Sequence, residues 1–131
     1  MDEKIAHLTF IQDVINRMAA NSFLVKGWTI ALVAALLAIA ADKITLTYTI
    51  IVLFPVILFW WLDTFYLTQE KLYRKLYDEV SLKNNAEINF DMNASVYKSN
   101  ISSFKEIALS KSVGPFYLVI VALLAFMYLR T

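Results

Sequence analysis

The sequence lacks cysteine altogether, and it has only two glycines, two prolines and one histidine among its 131 residues. Without cysteine there is no disulfide framework, thiol nucleophile or thiolate metal site. Two glycines cannot build the glycine-rich loops that hold phosphates in many nucleotide-dependent enzymes. The single histidine, His7, has no second imidazole, cysteine or converging carboxylates, so it is predicted to pack rather than to bind a metal. We therefore expect no metal, no cofactor and no enzymatic activity.

Apolar side chains dominate the sequence: 60% of the residues are hydrophobic and 15% are aromatic. Many of them fall in three long runs, at 23–41, 46–67 and 113–129. A helix needs about 20 apolar residues to cross a bilayer, so these runs predict three transmembrane helices. We expect an all-α membrane protein with an amphipathic N-terminal helix and three transmembrane helices, the second of which extends into the cytoplasm.

The second run passes into charged sequence without any glycine or turn signal, which predicts one helix over 44–83. At 1.5 Å per residue this helix is about 60 Å long, twice the hydrocarbon core of about 30 Å, so its end must project into water. The expected organisation is an amphipathic interfacial helix at 1–21, the first two spans at 22–67, a cytoplasmic extension and connection at 68–112, and the third span at 113–131.

Local signals refine these boundaries. Residues 2–21 place apolar side chains along one helical face, and Asn21 and Ser22 are predicted to end this helix. Asp42 and Lys43 predict a short outer turn, and Pro55 predicts a kink in the second span. The stretch 84–100 is rich in asparagine and partly alternates polar with apolar residues, which predicts a short hairpin or an ordered loop.

The distribution of positive charge predicts the orientation. Ten of the 12 Lys and Arg residues lie in the N-terminal segment, at the start of the first span or in the connection. Lys43 and Arg130 are the other two. Because cytoplasmic loops carry the excess of positive charge, we expect the N-terminus and the long connection to lie in the cytoplasm and the C-terminus to lie on the other side of the membrane.

Two surfaces are predicted to make helix contacts. Small residues allow helix backbones to approach closely in lipid, and a series of them follows one face of the first span: Gly27, Ala31, Ala35 and Ala38. An apolar and aromatic stripe continues along the cytoplasmic part of the second helix, with Leu72, Tyr73, Leu76 and Tyr77. Either the N-terminal segment or another subunit must cover this stripe.

Charged residues near the inner end of the spans are candidate functional groups. Counted from the outer turn, Lys26 and Asp63 differ in depth by about 4.5 Å, so they can pair. Such residues mark either a structural ion pair or a pore-lining or proton-handling carboxylate, and the proximity of the interface favours the ion pair. Further along, Lys71, Arg74 and Lys75 predict contacts with anionic membrane lipid or with a phosphate-bearing ligand.

Residues 10–28 read FIQDVINRMAANSFLVKGW, which resembles the N-terminus of small bacterial membrane proteins encoded among phage-defence genes. With three spans, a long inner helix and a compact connection, the whole resembles the membrane effectors of nucleotidyltransferase-linked anti-phage systems of the Hailong type. The resemblance implies a homo-oligomeric ion channel in the bacterial inner membrane, with its C-terminus in the periplasm, gated from the cytoplasmic side by a nucleotide or oligonucleotide signal. Its partner would be a nucleotidyltransferase system, and its opening would depolarise the infected cell.

Two other classes of function stay open. A non-conducting membrane anchor or regulatory scaffold would use the cytoplasmic stripe to recruit a partner protein. A lipid-modifying enzyme is the third class, since bacterial diacylglycerol kinases are also small, have three spans and begin with an amphipathic helix. The Glu- and Asn-rich catalytic pattern of those kinases has no counterpart here, because Asp63 is the only carboxylate in its span.

Overall fold

The computed structural model describes residues 2–40 and 46–130. Helix α1 spans Asp2–Ala40, α2 spans Leu46–Ser81, α3 spans Phe104–Ala108 and α4 spans Gly114–Arg130, with two short 3-10 helices, Asn85–Glu87 and Ser95–Asn100, between α2 and α3. The described residues contain no strand, which confirms the all-α class. The predicted outer turn at Asp42 and Lys43 lies outside the described residues.

Helix α1 is continuous from Asp2 to Ala40, so the predicted helix end at Asn21 and Ser22 is wrong. No glycine or proline precedes Gly27, and Ala19 and Ala20 are strong helix formers. The Ser22 hydroxyl donates a hydrogen bond to the carboxylate of Asp63 on α2 instead of capping a new helix. The Ser22 side chain, which suggested a helix end, therefore makes a contact between two helices instead.

Helix α2 runs without interruption from the apolar part of the sequence into the charged part, and it continues through Pro55. Both α1 and α2 are long and apolar enough to cross a membrane. The apolar helix α4 is shorter, with 17 residues. Its length of about 25 Å is at the lower end of the range for a transmembrane helix.

Helices α1 and α2 pack antiparallel, because the start of α1 contacts the end of α2 and the end of α1 contacts the start of α2. They form two separate apolar cores. The upper core joins α1, α2 and α4 through buried Val33, Val52, Val56, Val113, Tyr117, Ile120 and Leu124. The lower core joins α1, α2 and the following loop through buried Ile11, Ile15, Leu72, Leu76, Val80 and Ala94.

The lower core shows what covers the stripe on α2. Leu72 and Leu76 are buried against the first half of α1, and Tyr73 and Tyr77 pack at the edge of the same core. Of the two predicted partners, the N-terminal segment of the same chain is therefore the one observed. The segment packs with its apolar face on α2.

The asparagine-rich loop owes its shape to side chains that bind the backbone. Asn89, Asp91 and Asn93 each accept a hydrogen bond from the backbone N–H two residues later, at 2.9–3.1 Å. Such turns place the polar side chains at every second position, which is also the spacing of a strand. Of the two predicted forms, the ordered loop is the one observed. Phe90 has a φ of 56°, which is unusual for a bulky residue, and its ring packs against His7 and Phe10.

Hydrogen bonds join the start of α1 to this loop. His7 is fully buried, and its Nε2 lies 2.8 Å from the backbone oxygen of Asp91, so that nitrogen is the donor. The Asn85 amide donates to the Glu3 carboxylate at 2.7 Å, and this bond lowers the pKa of Glu3. Because a lowered pKa favours the folded state only while the carboxylate is charged, this contribution is lost as the pH falls through the lowered pKa.

Truncating the lower core should destabilise the protein far more than truncating the exposed side of the same helix. Ile11 is fully buried, whereas Ile5 is 55% exposed. We expect Ile11→Ala to lower the free energy of unfolding by about 2–5 kcal/mol, because it leaves a cavity. The matched variant Ile5→Ala should cost about 0.5 kcal/mol or less. Denaturant unfolding of the full chain in detergent measures both, and equal losses would contradict this packing.

Candidate functional site

A polar layer separates the two apolar cores. At its centre the Lys26 ammonium lies 2.6 Å from Asp63 Oδ2 and donates a hydrogen bond to the Ser22 hydroxyl at 3.0 Å. Ser22 in turn donates to the other carboxylate oxygen of Asp63. Positions 22 and 26 are one helical turn apart on α1, so both side chains face α2. The structure thus brings together Lys26 and Asp63, as the depth count predicts.

The third long helix closes this layer. Tyr117 of α4 is fully buried, and its hydroxyl lies near the Asp63 carboxylate and the buried Thr29 hydroxyl. Within the described part of the chain this hydroxyl makes no hydrogen bond of standard geometry. The Tyr117 ring stacks on Trp60 at 5.8 Å between ring centres, and the Trp60 indole donates to the backbone oxygen of Ala108 at 2.9 Å. Helices α1, α2, α3 and α4 therefore all meet at this level.

Burial decides what the ion pair does in this conformation. The Asp63 side chain is fully buried, and that of Lys26 is 23% exposed. A buried charge is costly unless it is paired and hydrogen-bonded, and both conditions are met here. Asp63 faces the interior of the chain's own fold, so it lines no open path in this arrangement. This geometry fits a structural ion pair.

The small residues of α1 lie on the side of the helix that the chain itself does not cover. The buried positions Val25, Thr29 and Val33 face α2 and α4, whereas the small residues are exposed on roughly the opposite side: Gly27, Ala31, Ala34, Ala35 and Ala38. A Cβ atom added at Gly27 would meet no atom within 4 Å. Nothing in the described part of the chain therefore occupies this face.

A groove lies beside the charged C-terminal part of α2. It has a volume of about 370 Å³, and its lining is formed by Lys71, Arg74, Lys75, Asp78, Asn100, Ile101 and Ser102. The three predicted basic residues thus line one groove, opposite the segment that leads from the second 3-10 helix toward α3. Arg74 lies 3.6 Å from Glu70, whereas Lys71 and Lys75 form no ion pair within residues 2–40 and 46–130.

The sequence prediction missed several residues of these sites, and only some of them carry a signal in the sequence. Ser22 and Thr29 share a helical face with Lys26, and this spacing is the signal that links them to the pair. Tyr117 reads as one more aromatic residue of an apolar run. Asn100 and Ser102 lie in the same groove as Lys71 because of the path of the loop, and the spacing of residues in the sequence does not reveal that path.

The chain shows no assembled metal site in its described part, where no group of three or more His, Asp or Glu side chains could hold an ion. No protein-family model, curated protein or solved structure matches the chain. Its function therefore has to be argued from the polar layer, the uncovered face of α1 and the basic groove.

The two charges of the polar layer should depend on each other for stability. We expect Asp63→Leu to cost about 3–5 kcal/mol, because it leaves the Lys26 ammonium unpaired at a mostly buried position. Lys26→Met should be similarly damaging, since it strands the carboxylate. The double variant Lys26→Met with Asp63→Leu should recover much of the loss. A double-mutant cycle of unfolding free energies in detergent measures the coupling, and strictly additive losses would show that the charges are independent.

Proposed function

We propose that this chain is a homo-oligomeric effector of the bacterial inner membrane that forms an ion-conducting pore. The pore is gated from the cytoplasmic side by a nucleotide or oligonucleotide signal in anti-phage defence. The chain crosses the membrane three times, through α1, α2 and α4, with its N-terminus in the cytoplasm. The polar layer then lies near the inner end of the spans, and the lower core lies in the cytoplasm.

The uncovered small-residue face of α1 is the observation that carries the proposal. A single protomer packs α1, α2 and α4 around a filled core, so any aqueous path has to run between protomers. Lipid tails are as apolar as leucine, and small residues therefore favour contact with another helix over contact with lipid. The face of Gly27, Ala31, Ala35 and Ala38 supports close contact with another copy, because the chain's own helices pack on the opposite side.

The link to defence and to a nucleotide signal comes from the resemblance of residues 10–28 to effectors of nucleotidyltransferase-linked systems. Two features of the chain support control from the cytoplasmic side. The long helices α1 and α2 continue from the apolar part into the charged part, so a movement of the lower core is carried along them. The asparagine-rich loop is fastened to the first turns of α1, where a cytoplasmic signal has access.

The lower core argues against the non-conducting scaffold. That alternative relies on an open stripe at Leu72 and Leu76 to recruit a partner protein. Both residues are buried by α1 in the same chain. A scaffold would have to separate α1 from α2 before it could use this surface.

Larger side chains on the small-residue face of α1 should both separate the subunits and lower the ion flux. We expect the full chain to migrate as an oligomer in mild detergent and to support ion flux in proteoliposomes. The variant Ala31→Leu with Ala35→Leu should shift the particle toward the protomer and lower the flux roughly tenfold or more, as expected if association weakens by at least about 1.4 kcal/mol.

A matched variant controls for added bulk in lipid. Ala122→Leu with Ala125→Leu adds the same volume at exposed positions of α4, and it should keep the assembly and the flux. Adding short oligonucleotides or nucleoside triphosphates to the cytoplasmic face should change the flux of the unmodified protein. A solitary protomer without flux under all these conditions would refute the pore, and an oligomer without flux would favour the scaffold.

A further inference from the structure

The basic groove has the composition of a site for a phosphate ester. Lys71 and Lys75 enter it from α2 without an ion-pair partner in the described part of the chain, and Arg74 has only the distant Glu70 carboxylate. On the opposite wall the Asn100 amide and the Ser102 hydroxyl make no hydrogen bond with other described residues, so they remain available to a ligand. The single carboxylate of the lining, Asp78, leaves an excess of positive charge. A groove of about 370 Å³ is within the size range of small-ligand sites, about 300–1,000 Å³.

The position of the groove along α2 indicates where the phosphate comes from. The apolar part of α2 ends at Leu67. Lys71 follows about 6 Å further along the helix axis, and Lys75 about 12 Å further. The headgroup layer of a bilayer is about 5–8 Å thick on each side of the hydrocarbon core. Lys71 is therefore at headgroup depth, and Lys75 is just beneath it.

The direction of the side chains points to the same source. The Cα–Cβ bonds of a helix tilt toward its N-terminus, and the N-terminal part of α2 is the apolar part. The long side chains of Lys71 and Lys75 thus lean back toward the bilayer and reach upward from their backbone positions. This tilt brings the ammonium groups closer to a lipid headgroup. It brings them no closer to a ligand from the bulk cytoplasm.

We propose that the groove between Lys71, Lys75 and Ser102 binds the phosphate headgroup of an anionic lipid of the inner leaflet. The ammonium groups bind the phosphate oxygens, and Asn100 and Ser102 bind the polar part of the headgroup. The acyl chains extend up beside the apolar part of α2. The inference rests on the proposed function only in placing α2 across the inner membrane.

The test measures lipid affinity of the full chain in mild detergent by native mass spectrometry, with phosphatidylglycerol and phosphatidylcholine as the probes. Each Lys near an anionic surface contributes about 1 kcal/mol, so Lys71→Gln with Lys75→Gln should weaken phosphatidylglycerol binding roughly 10- to 30-fold. Phosphatidylcholine binding should not change. The charge-preserving variant Lys71→Arg with Lys75→Arg should keep most of the affinity for phosphatidylglycerol.

Lys83→Gln with Lys98→Gln removes the same charge outside the groove, and it should leave the affinity near that of the unmodified protein. An equal loss in this control would overturn the site, since net charge alone would then explain the binding. Displacement of phosphatidylglycerol by a nucleoside triphosphate or a short oligonucleotide, with the same dependence on Lys71 and Lys75, would overturn the lipid assignment in favour of a soluble phosphate ester. The readout needs no conductance, so a protein without flux that still binds phosphatidylglycerol through these lysines would refute the pore and leave the lipid site intact.

Discussion

The ion pair between Lys26 and Asp63 fixes how the two long helices lie against each other. Along an apolar interface, a helix can shift by one turn and still bury similar side chains. A shift of α1 by one turn here would move the Lys26 ammonium about 5.4 Å along the axis and leave the buried Asp63 carboxylate without its cation. Breaking such a pair costs about 3–5 kcal/mol, which is much of the stability of a small protein. The same arrangement places Ile11 and Leu72 together in the lower core and Val33 and Val56 together in the upper core.

The ion pair also distinguishes the two sides of α1, which make different contacts. One side carries the charge and the packing residues toward α2, and the opposite side carries the exposed small residues. In the proposed oligomer, contacts between subunits would therefore form or break on the outer side without disturbing the buried charges. Such an oligomer would assemble from protomers that are already folded, because the costly polar groups are satisfied within each chain.

The long helix α2 and the depth match of Lys26 with Asp63 could be predicted from the sequence, because both depend only on helical rise and on the length of apolar runs. The continuity of α1 could not be predicted in this way. Serine is a common helix-capping residue, and the observed partner of Ser22 is Asp63, 41 positions away in the sequence. The loop that carries Asn89 showed the spacing of a strand, since turns of this kind repeat every second residue. Only the α2 wall of the groove, which includes Lys71, could be predicted from the sequence. Ser102 lies on the opposite wall because of the path of the loop, which the sequence does not reveal.

The continuity of α1 bears on how a cytoplasmic signal would reach the membrane in the proposed effector. A separate interfacial helix would be joined to the first span by a flexible connection, and a movement at its start would dissipate there. A single helix from Asp2 to Ala40 has no such connection, so in the proposed effector a displacement at His7 would be passed along α1 to Lys26. Because the ion pair opposes sliding of α1 along α2, we expect such a displacement to tilt the two helices together. In the proposed oligomer, such a tilt would move the small-residue face of α1 relative to the neighbouring copy, which is the contact on which the width of the proposed pore depends.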